Sequence, residues 1–264
     1  MAAAGLASLP RFAWDSGEKG VFVGIQKLAS DHMAVVVLGE FDPLTIAPKW
    51  LRKMDLIGEE DYDSYSVEII SAGATIVSFG SIQLKVLPET LQVTTDVAAD
   101  VEVARDLAAG ILLSKGSPEV SMMGINRTVH FEAAPDEYHA IGDALAPKDA
   151  WSSMLHLPGM LNLGIKGVRD DGYGGSINVQ VQPSNVVLPG VFVSINDHYD
   201  LTYADTVTDR DSIELLKEVV PQRSADKLPF AVKILTDGFR ASRGRAQMIV
   251  DRVASLGMTT GKSR

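Results

Sequence analysis

Short runs of β-branched and aromatic residues, separated by turn residues, recur along most of the chain and predict strands. In the clearest run, Ile82, Leu84 and Val86 alternate with Gln83 and Lys85, so one face of that strand is expected to be buried and the other wet. The predicted strands are Val21 to Ile25, Met33 to Phe41, Val67 to Ile70, Thr75 to Phe79, Ile82 to Leu87, Leu91 to Thr94, Pro118 to Phe131, Leu161 to Val168, Ser176 to Gln182 and Val191 to Asn196.

Other segments place apolar residues three and four positions apart, which is the spacing of one helix face. Asp100 and Pro135 stand where an N-cap and a first helical turn are needed. The predicted helices are Pro48 to Gly58, Val101 to Ser114, Pro135 to Leu145, a short helix after Pro147 with Trp151, Met154 and Leu155 as its apolar side, Ser212 to Val220, and Phe230 to about Leu256 with a kink at Gly238 or Gly244.

The connections between the strands from Tyr65 to Thr95 are short, which suits antiparallel pairing and excludes parallel crossovers. The order of elements predicts the α+β class, with antiparallel β-sheets and helices packed on one face. It also allows two similar sheet-bearing halves, before and after about residue 116. With 264 residues, the chain is expected to form a single compact unit, 1–264, and the alternative is a subdivision into 21–116 and 117–264.

The composition excludes several classes of protein. The chain has no cysteine, which rules out disulfides, thiolate zinc sites, iron–sulfur clusters and cysteine nucleophiles. Residues Met1 to Trp14 lack the basic start and the apolar stretch of a signal peptide, so a cytoplasmic location is expected. No run reaches the roughly 18 apolar residues of a spanning helix, so no membrane contact is expected. No cofactor is indicated.

The charges are distributed unevenly. A net charge of −10 and a pI of about 4.9 argue against nucleic acid and anionic membranes as partners. The segment from Lys217 to Arg264, however, holds ten Lys and Arg against four Asp and Glu, so it carries +6 and the preceding residues carry −16. We expect this basic segment to pack against the acidic body of the same chain or of a neighbouring subunit.

Four residues that can bind a metal or transfer a proton lie within ten positions: His130, Glu132, Glu137 and His139. His130 and Glu132 point to one face of an extended strand, and a turn at Pro135 could return the other two toward them, which would suit zinc, manganese or iron. On a helix, however, Glu137 and His139 diverge by roughly 200°. Solvated side chains at a strand-to-helix junction are therefore the favoured interpretation, and no metal site is predicted.

A second polar group, Asp197-His198-Tyr199-Asp200, ends a predicted strand. These residue types suit acid–base catalysis, but neighbouring strand residues point to opposite faces, which makes a direct dyad of Asp197 and His198 awkward. A polar strand end in which His198 caps a neighbouring segment is favoured. The candidate catalytic residues are thus His130, Glu132, His139, Asp197 and His198.

The densest basic patch lies on the last predicted helix, where Arg240, Arg243 and Arg245 follow Phe239. An aromatic ring beside three guanidinium groups could hold phosphate or RNA, so these arginines are the candidate ligand-binding residues. The favoured interpretation is a charged helix face that is electrostatically complementary to the acidic body of the chain. The stretch from Arg169 to Gly175 is interpreted as a hairpin turn.

Three segments together resemble a sporadically distributed bacterial family of uncharacterised proteins: Gly124-Ile125-Asn126-Arg127 through His130-Phe131, Leu145 to Trp151, and Asn196-Asp197-His198-Tyr199. The resemblance extends from about Val35 to Asp200. It implies a bacterial, intracellular protein. No activity is attached to the family, so the resemblance implies neither a reaction nor catalytic residues.

The sequence lacks a complete catalytic constellation, and its body and tail have opposite charges. Both features favour a non-catalytic binding or assembly protein, with a second copy or another protein as partner. The alternative is a metal-assisted hydrolase that uses the region of His130, Glu132 and His139. A third hypothesis is RNA or nucleotide binding through the arginine-rich C-terminal helix. Whether the chain is an enzyme stays open at this point.

Overall fold

The chain folds into antiparallel strands and a layer of helices. The computed structural model describes residues 28–114, 118–169, 171–201 and 224–258, and it describes side chains from residue 227 onward in the last range. The strands are β1 (Leu28–Gly39), β2 (Ser66–Ile70), β3 (Thr75–Phe79), β4 (Ile82–Leu87), β5 (Thr90–Thr95), β6 (Val120–Glu132), β7 (Leu163–Val168), β8 (Ser176–Pro183) and β9 (Gly190–Tyr199). The helices are α1 (Pro48–Lys53), α2 (Glu59–Ser64), α3 (Val101–Leu113), α4 (Pro135–Leu145), α5 (Ser224–Lys233) and α6 (Phe239–Ser255).

These strands form one continuous sheet in the order β2-β3-β4-β5-β1-β6-β9-β8-β7. Every neighbouring pair is antiparallel. We call β1 to β5 the first half of the sheet and β6 to β9 the second half. In each half the first strand, β1 or β6, lies at the centre of the sheet, and the last strand, β5 or β9, pairs with it. The second strand of each half, β2 or β7, therefore forms a free edge of the sheet.

The long helices pack on one face of the sheet. Val35 of β1 pairs with Ile125 of β6, and both lie in one core with Leu107 of α3. Farther along β6, Val129 points to the same face and packs with Val250 of α6. We call this side the helix face and the opposite side the open face. The predicted α+β class is confirmed, with a single antiparallel sheet and helices on one of its faces.

The predicted helix after Pro147 is wrong. Residues 147–157 form turns, and Trp151, Met154 and Leu155 are exposed on the surface. A short helix has little stability of its own and forms when its apolar side is packed against a partner. In the described residues these three side chains are left at the surface, so the helical spacing of the segment is not sufficient to form a helix.

Other predicted elements differ in their bounds or lie outside the described residues. The last predicted helix begins earlier, at Ser224, and a π-helical segment, Ile234–Gly238, joins α5 to α6 at one of the two predicted kinks. The predicted strand Val21 to Ile25 and helix Ser212 to Val220 fall outside the described residues. No helix in the described ranges is both long and apolar enough to cross a membrane. The subdivision near residue 116 stays a prediction, and the pairing of β1 with β6 links its two sides.

Candidate functional site

The candidate residues at the end of β6 point to different sides of the sheet. His130 is buried on the open face, where Nδ1 lies 2.8 Å from Ser184 Oγ and the ring packs against Phe192. Burial lowers the pKa of His130 below its usual value, which favours the neutral ring. His139 is exposed on α4, and that helix packs on the helix face through Ile141. The structure therefore separates His130 from His139.

The acidic members of the same cluster do not complete a metal site. Glu137 Oε2 accepts a 3.0 Å hydrogen bond from the backbone N–H of Ala134, and so closes the first turn of α4 after Pro135. Glu132 lies two residues beyond His130 on β6. Over the described ranges, no group of three or more His, Cys, Asp or Glu side chains is arranged to hold an ion.

Asp197 is the centre of a buried ion network on the helix face. Its side chain is 3% exposed. Arg169 donates to Oδ1 through Nη1, while Ser242 Oγ and Arg245 Nη2 donate to Oδ2 at 2.6 and 2.8 Å. The guanidinium of Arg169 also lies 3.6 Å from the centre of the Tyr199 ring. Because Ser242 and Arg245 belong to α6, this carboxylate fixes the helix on the sheet.

His198 lies on the opposite side of the same strand. Its Nε2 is 3.0 Å from Asp200 Oδ1, and the pair is partly exposed. Asp197 and His198 thus project to different faces and do not form a dyad. Burial raises the pKa of Tyr199, and the negative charge of Asp171 raises it further, whereas Arg169 and Arg245 act in the opposite direction. The effect of burial is the largest, so this phenol stays protonated.

The candidate arginines of α6 face carboxylates of their own chain. Arg240 Nε and Arg243 Nη1 lie 3.6 and 3.8 Å from Glu102 Oε1 of α3. Arg245 donates to Asp197, as described above. The described part of the basic segment therefore contacts the acidic body within one chain, although Arg240 is 82% exposed and its contact with Glu102 is weak.

Residues 150–168, which we call the apolar edge segment, form a surface with almost no charge. It has one charged side chain, Lys166, in 19 residues. Its C-terminal part is β7, the free edge of the second half. Its exposed large apolar residues are Trp151 (52%), Met154 (69%), Leu155 (53%), Leu157 (85%), Leu161 (85%), Ile165 (54%) and Val168 (85%). Seven exposed large apolar side chains within 19 residues exceed the scattered exposure of an ordinary surface, and such groups are typical of interaction sites.

A cavity of about 800 Å³ lies beneath the first part of this segment. It is formed between α4 and residues 148–160, and its lining includes Ile141, Met154, Met160 and Val191. Lys148 Nζ lies 2.7 Å from Asp143 Oδ1 at this cavity, so its two charged lining residues neutralise each other.

The two free edges of the sheet are built differently. β2 contains a bulge at Glu68, where the register with β3 shifts between Val67 and Ile69. A bulge twists an edge strand and makes pairing with another chain less favourable. β7 pairs with β8 in unbroken register from Leu163 to Val168. The regular outer edge of β7 is therefore the more suitable one for another strand.

Comparison with known proteins adds no identity. No protein-family model and no curated protein matches this chain.

The sequence analysis did not identify the apolar edge segment. It assigned the apolar residues of this segment to a buried helix and to a strand whose place in the sheet was not specified. The scarcity of charge over residues 150–168 was the signal that could have identified it.

Proposed function

We propose that this chain is a non-catalytic assembly protein that binds a second copy of itself along β7. The observation that carries the proposal is the apolar edge segment, which has a single charged residue and whose C-terminal part, β7, is a free edge of the sheet. The cores of protein interfaces are depleted of charge. An edge strand also has unpaired backbone N–H and C=O groups that a strand of a second copy can satisfy.

A two-fold axis perpendicular to the sheet gives the simplest assembly. It pairs β7 antiparallel with its copy and continues the alternation of the sheet. Antiparallel pairing is also slightly more stable per residue than parallel pairing. This symmetry leaves both helix layers on the same side. Opposed side chains must then share a face, so odd-numbered residues of β7 oppose odd-numbered ones and even oppose even.

The charge of Lys166 distinguishes the registers that remain. A pairing centred on Lys166 would set two like charges opposite each other, which is unfavourable. A pairing centred on Ile165 overlaps the strand Leu163–Val168 equally well. It sets the two Ile165 side chains against each other and places each Lys166 opposite Gly164 of the second copy. We therefore place the axis at Ile165.

The alternative hypotheses have less support from the described residues. A metal-assisted hydrolase needs converging ligands, whereas His130 and His139 lie on opposite sides of the sheet. RNA binding through α6 needs available arginines, whereas Arg243 and Arg245 lie beside Glu102 and Asp197. The apolar edge segment thus favours assembly over both.

The absence of cysteine from the chain makes disulfide trapping a direct test of the register. In the Ile165→Cys variant the two thiols face each other, so mild oxidation should produce a disulfide-linked dimer. The Leu163→Cys variant faces Gly167 of the second copy and should stay largely reduced. Efficient dimer formation by Leu163→Cys, with none by Ile165→Cys, would contradict this register while leaving assembly itself intact.

Assembly is tested separately by sedimentation of the wild-type protein over a range of concentrations. The Ile165→Glu variant opposes two carboxylates and removes apolar contact, so it should weaken the dimer roughly tenfold or more. The matched control is Ile69→Glu on β2, which is exposed to a similar degree, 41% against 54%, and should leave the dimer unchanged. A wild-type protein that stays monomeric at all concentrations would refute the proposal.

A further inference from the structure

The open face of the second half carries a row of amide side chains. The registers place Asn126 of β6 opposite Asn196 of β9, Asn196 opposite Asn178 of β8, and Asn178 opposite Lys166 of β7. Asparagine is depleted in strands, where β-branched residues fill half-buried positions better. Three asparagines in one row across neighbouring strands are therefore a poor choice for the stability of the sheet alone.

Two of these amides have unsatisfied acceptors. Asn126 Oδ1 and Asn196 Oδ1 are both buried, and neither has a hydrogen-bond partner among the described residues. Buried polar atoms are nearly always paired, because a missing hydrogen bond is not compensated by water. Neighbouring amides are already engaged along their own strands: Asn178 Nδ2 donates to Ser176 Oγ at 3.2 Å and Gln180 Nε2 donates to Gln182 Oε1 at 2.9 Å.

A groove of about 690 Å³ lies over the part of this row formed by Asn196, Asn178 and Lys166. The polar side chains in its lining are Asn162, Lys166, Asn178, Gln180, Ser194 and Asn196. No carboxylate of the described residues lines it, although Asp and Glu number 34 in the chain. The size is that of a site for a small molecule or a few linked units. The lining presents hydrogen-bond donors and acceptors with one positive charge.

We propose that this groove binds an uncharged oligosaccharide. Sugar hydroxyl groups both donate and accept, as amide groups do, and an O–H group of a sugar in this groove can donate to the acceptor that Asn196 leaves unpaired. Fully ionised phosphate and carboxylate groups have no O–H with which to donate to this oxygen. A nucleic acid would require several basic residues and aromatic stacking surfaces, and the groove has one Lys and no aromatic lining. The site lies within one copy and does not depend on the pairing of β7.

The test uses soluble neutral hexasaccharides, namely cellohexaose, xylohexaose, chitohexaose and maltohexaose, titrated into isotopically labelled full-length protein. We expect at least one of them to produce saturable NMR shifts of the side-chain amides of Asn178, Gln180 and Asn196. Absence of saturable shifts with all four sugars at millimolar concentration would overturn the proposal. So would a single-stranded oligonucleotide that shifts the same amides while the sugars do not.

Variants separate binding from folding. Asn196→Leu removes an unsatisfied acceptor, so it should keep the thermal unfolding midpoint at or above the wild-type value while it weakens sugar binding at least tenfold. Gln180→Leu on the adjacent strand should weaken binding without a change of fold. The control Gln92→Leu lies on the open face of the first half, opposite Lys85, and should bind as the wild type does. Equal binding by all three variants would refute the site.

Discussion

The two halves of the sheet bury different kinds of side chain. On the helix face of the first half, Leu84, Val86 and Leu91 are fully buried and apolar. Among the described residues, the ionisable side chains that are buried are His130, Arg169, Asp197 and Tyr199, and all belong to the second half. The second half also exposes the apolar edge segment and the amide row. The first half therefore has the composition of a stabilising core, whereas the second half carries costly polar and apolar features that the two proposed binding surfaces would explain.

The comparison predicts that the second half depends on one buried carboxylate. The Asp197→Ala variant removes one of the two carboxylate partners of Arg169, which keeps Asp171, and the partner of Arg245 Nη2. We therefore expect a loss of about 3 kcal/mol in the free energy of unfolding. Urea unfolding measures it. The control is Asp200→Ala, whose carboxylate is 47% exposed beside His198 and should change stability by less than about 0.5 kcal/mol. Equal effects of the two variants would show that the network does not hold α6 in place.

A core truncation in the first half tests whether the halves unfold together. Leu84→Ala removes a fully buried side chain, and we expect it to cost about 2–5 kcal/mol. Because β1 and β6 are paired over most of their length, hydrogen exchange should accelerate in β9 as well as in β4. Unchanged exchange in β9 would instead favour two units, 21–116 and 117–264.

A smaller effect is expected from the buried histidine of the second half. Burial lowers the pKa of His130 in the folded protein, whereas the unfolded chain titrates near the ordinary value of about 6.5. Below about pH 6.5 the unfolded state binds a proton before the folded state does. The free energy of unfolding therefore decreases as the pH falls from about 6.5 toward the lower pKa of His130 in the folded protein. The His130→Gln variant should flatten urea midpoints measured between about pH 7 and pH 5. Parallel profiles for variant and wild type would contradict this assignment.

Local pattern was sufficient for much of the fold. The alternation of Ile82 to Val86 and the short turns around it predicted the meander of β2 to β5, and the helical spacing after Asp100 predicted α3. Pro135 predicted the start of α4 correctly. These elements depend on the conformational preferences of residues close in sequence, so no knowledge of distant contacts was required.

The candidate site depended on distant contacts. Arg169 and Arg245 reach Asp197 from 28 and 48 positions away, and no sequence spacing indicates such a meeting. Likewise, the pattern of Trp151 and Met154 was interpreted as a helix because apolar spacing does not tell whether a packing partner exists. The sequence by itself determined the strands, most helices and the scarcity of charge over residues 150–168. The tertiary structure decided that this segment lies at a free edge and that three asparagines share one row, because pairing between strands far apart in sequence sets edges, faces and neighbours.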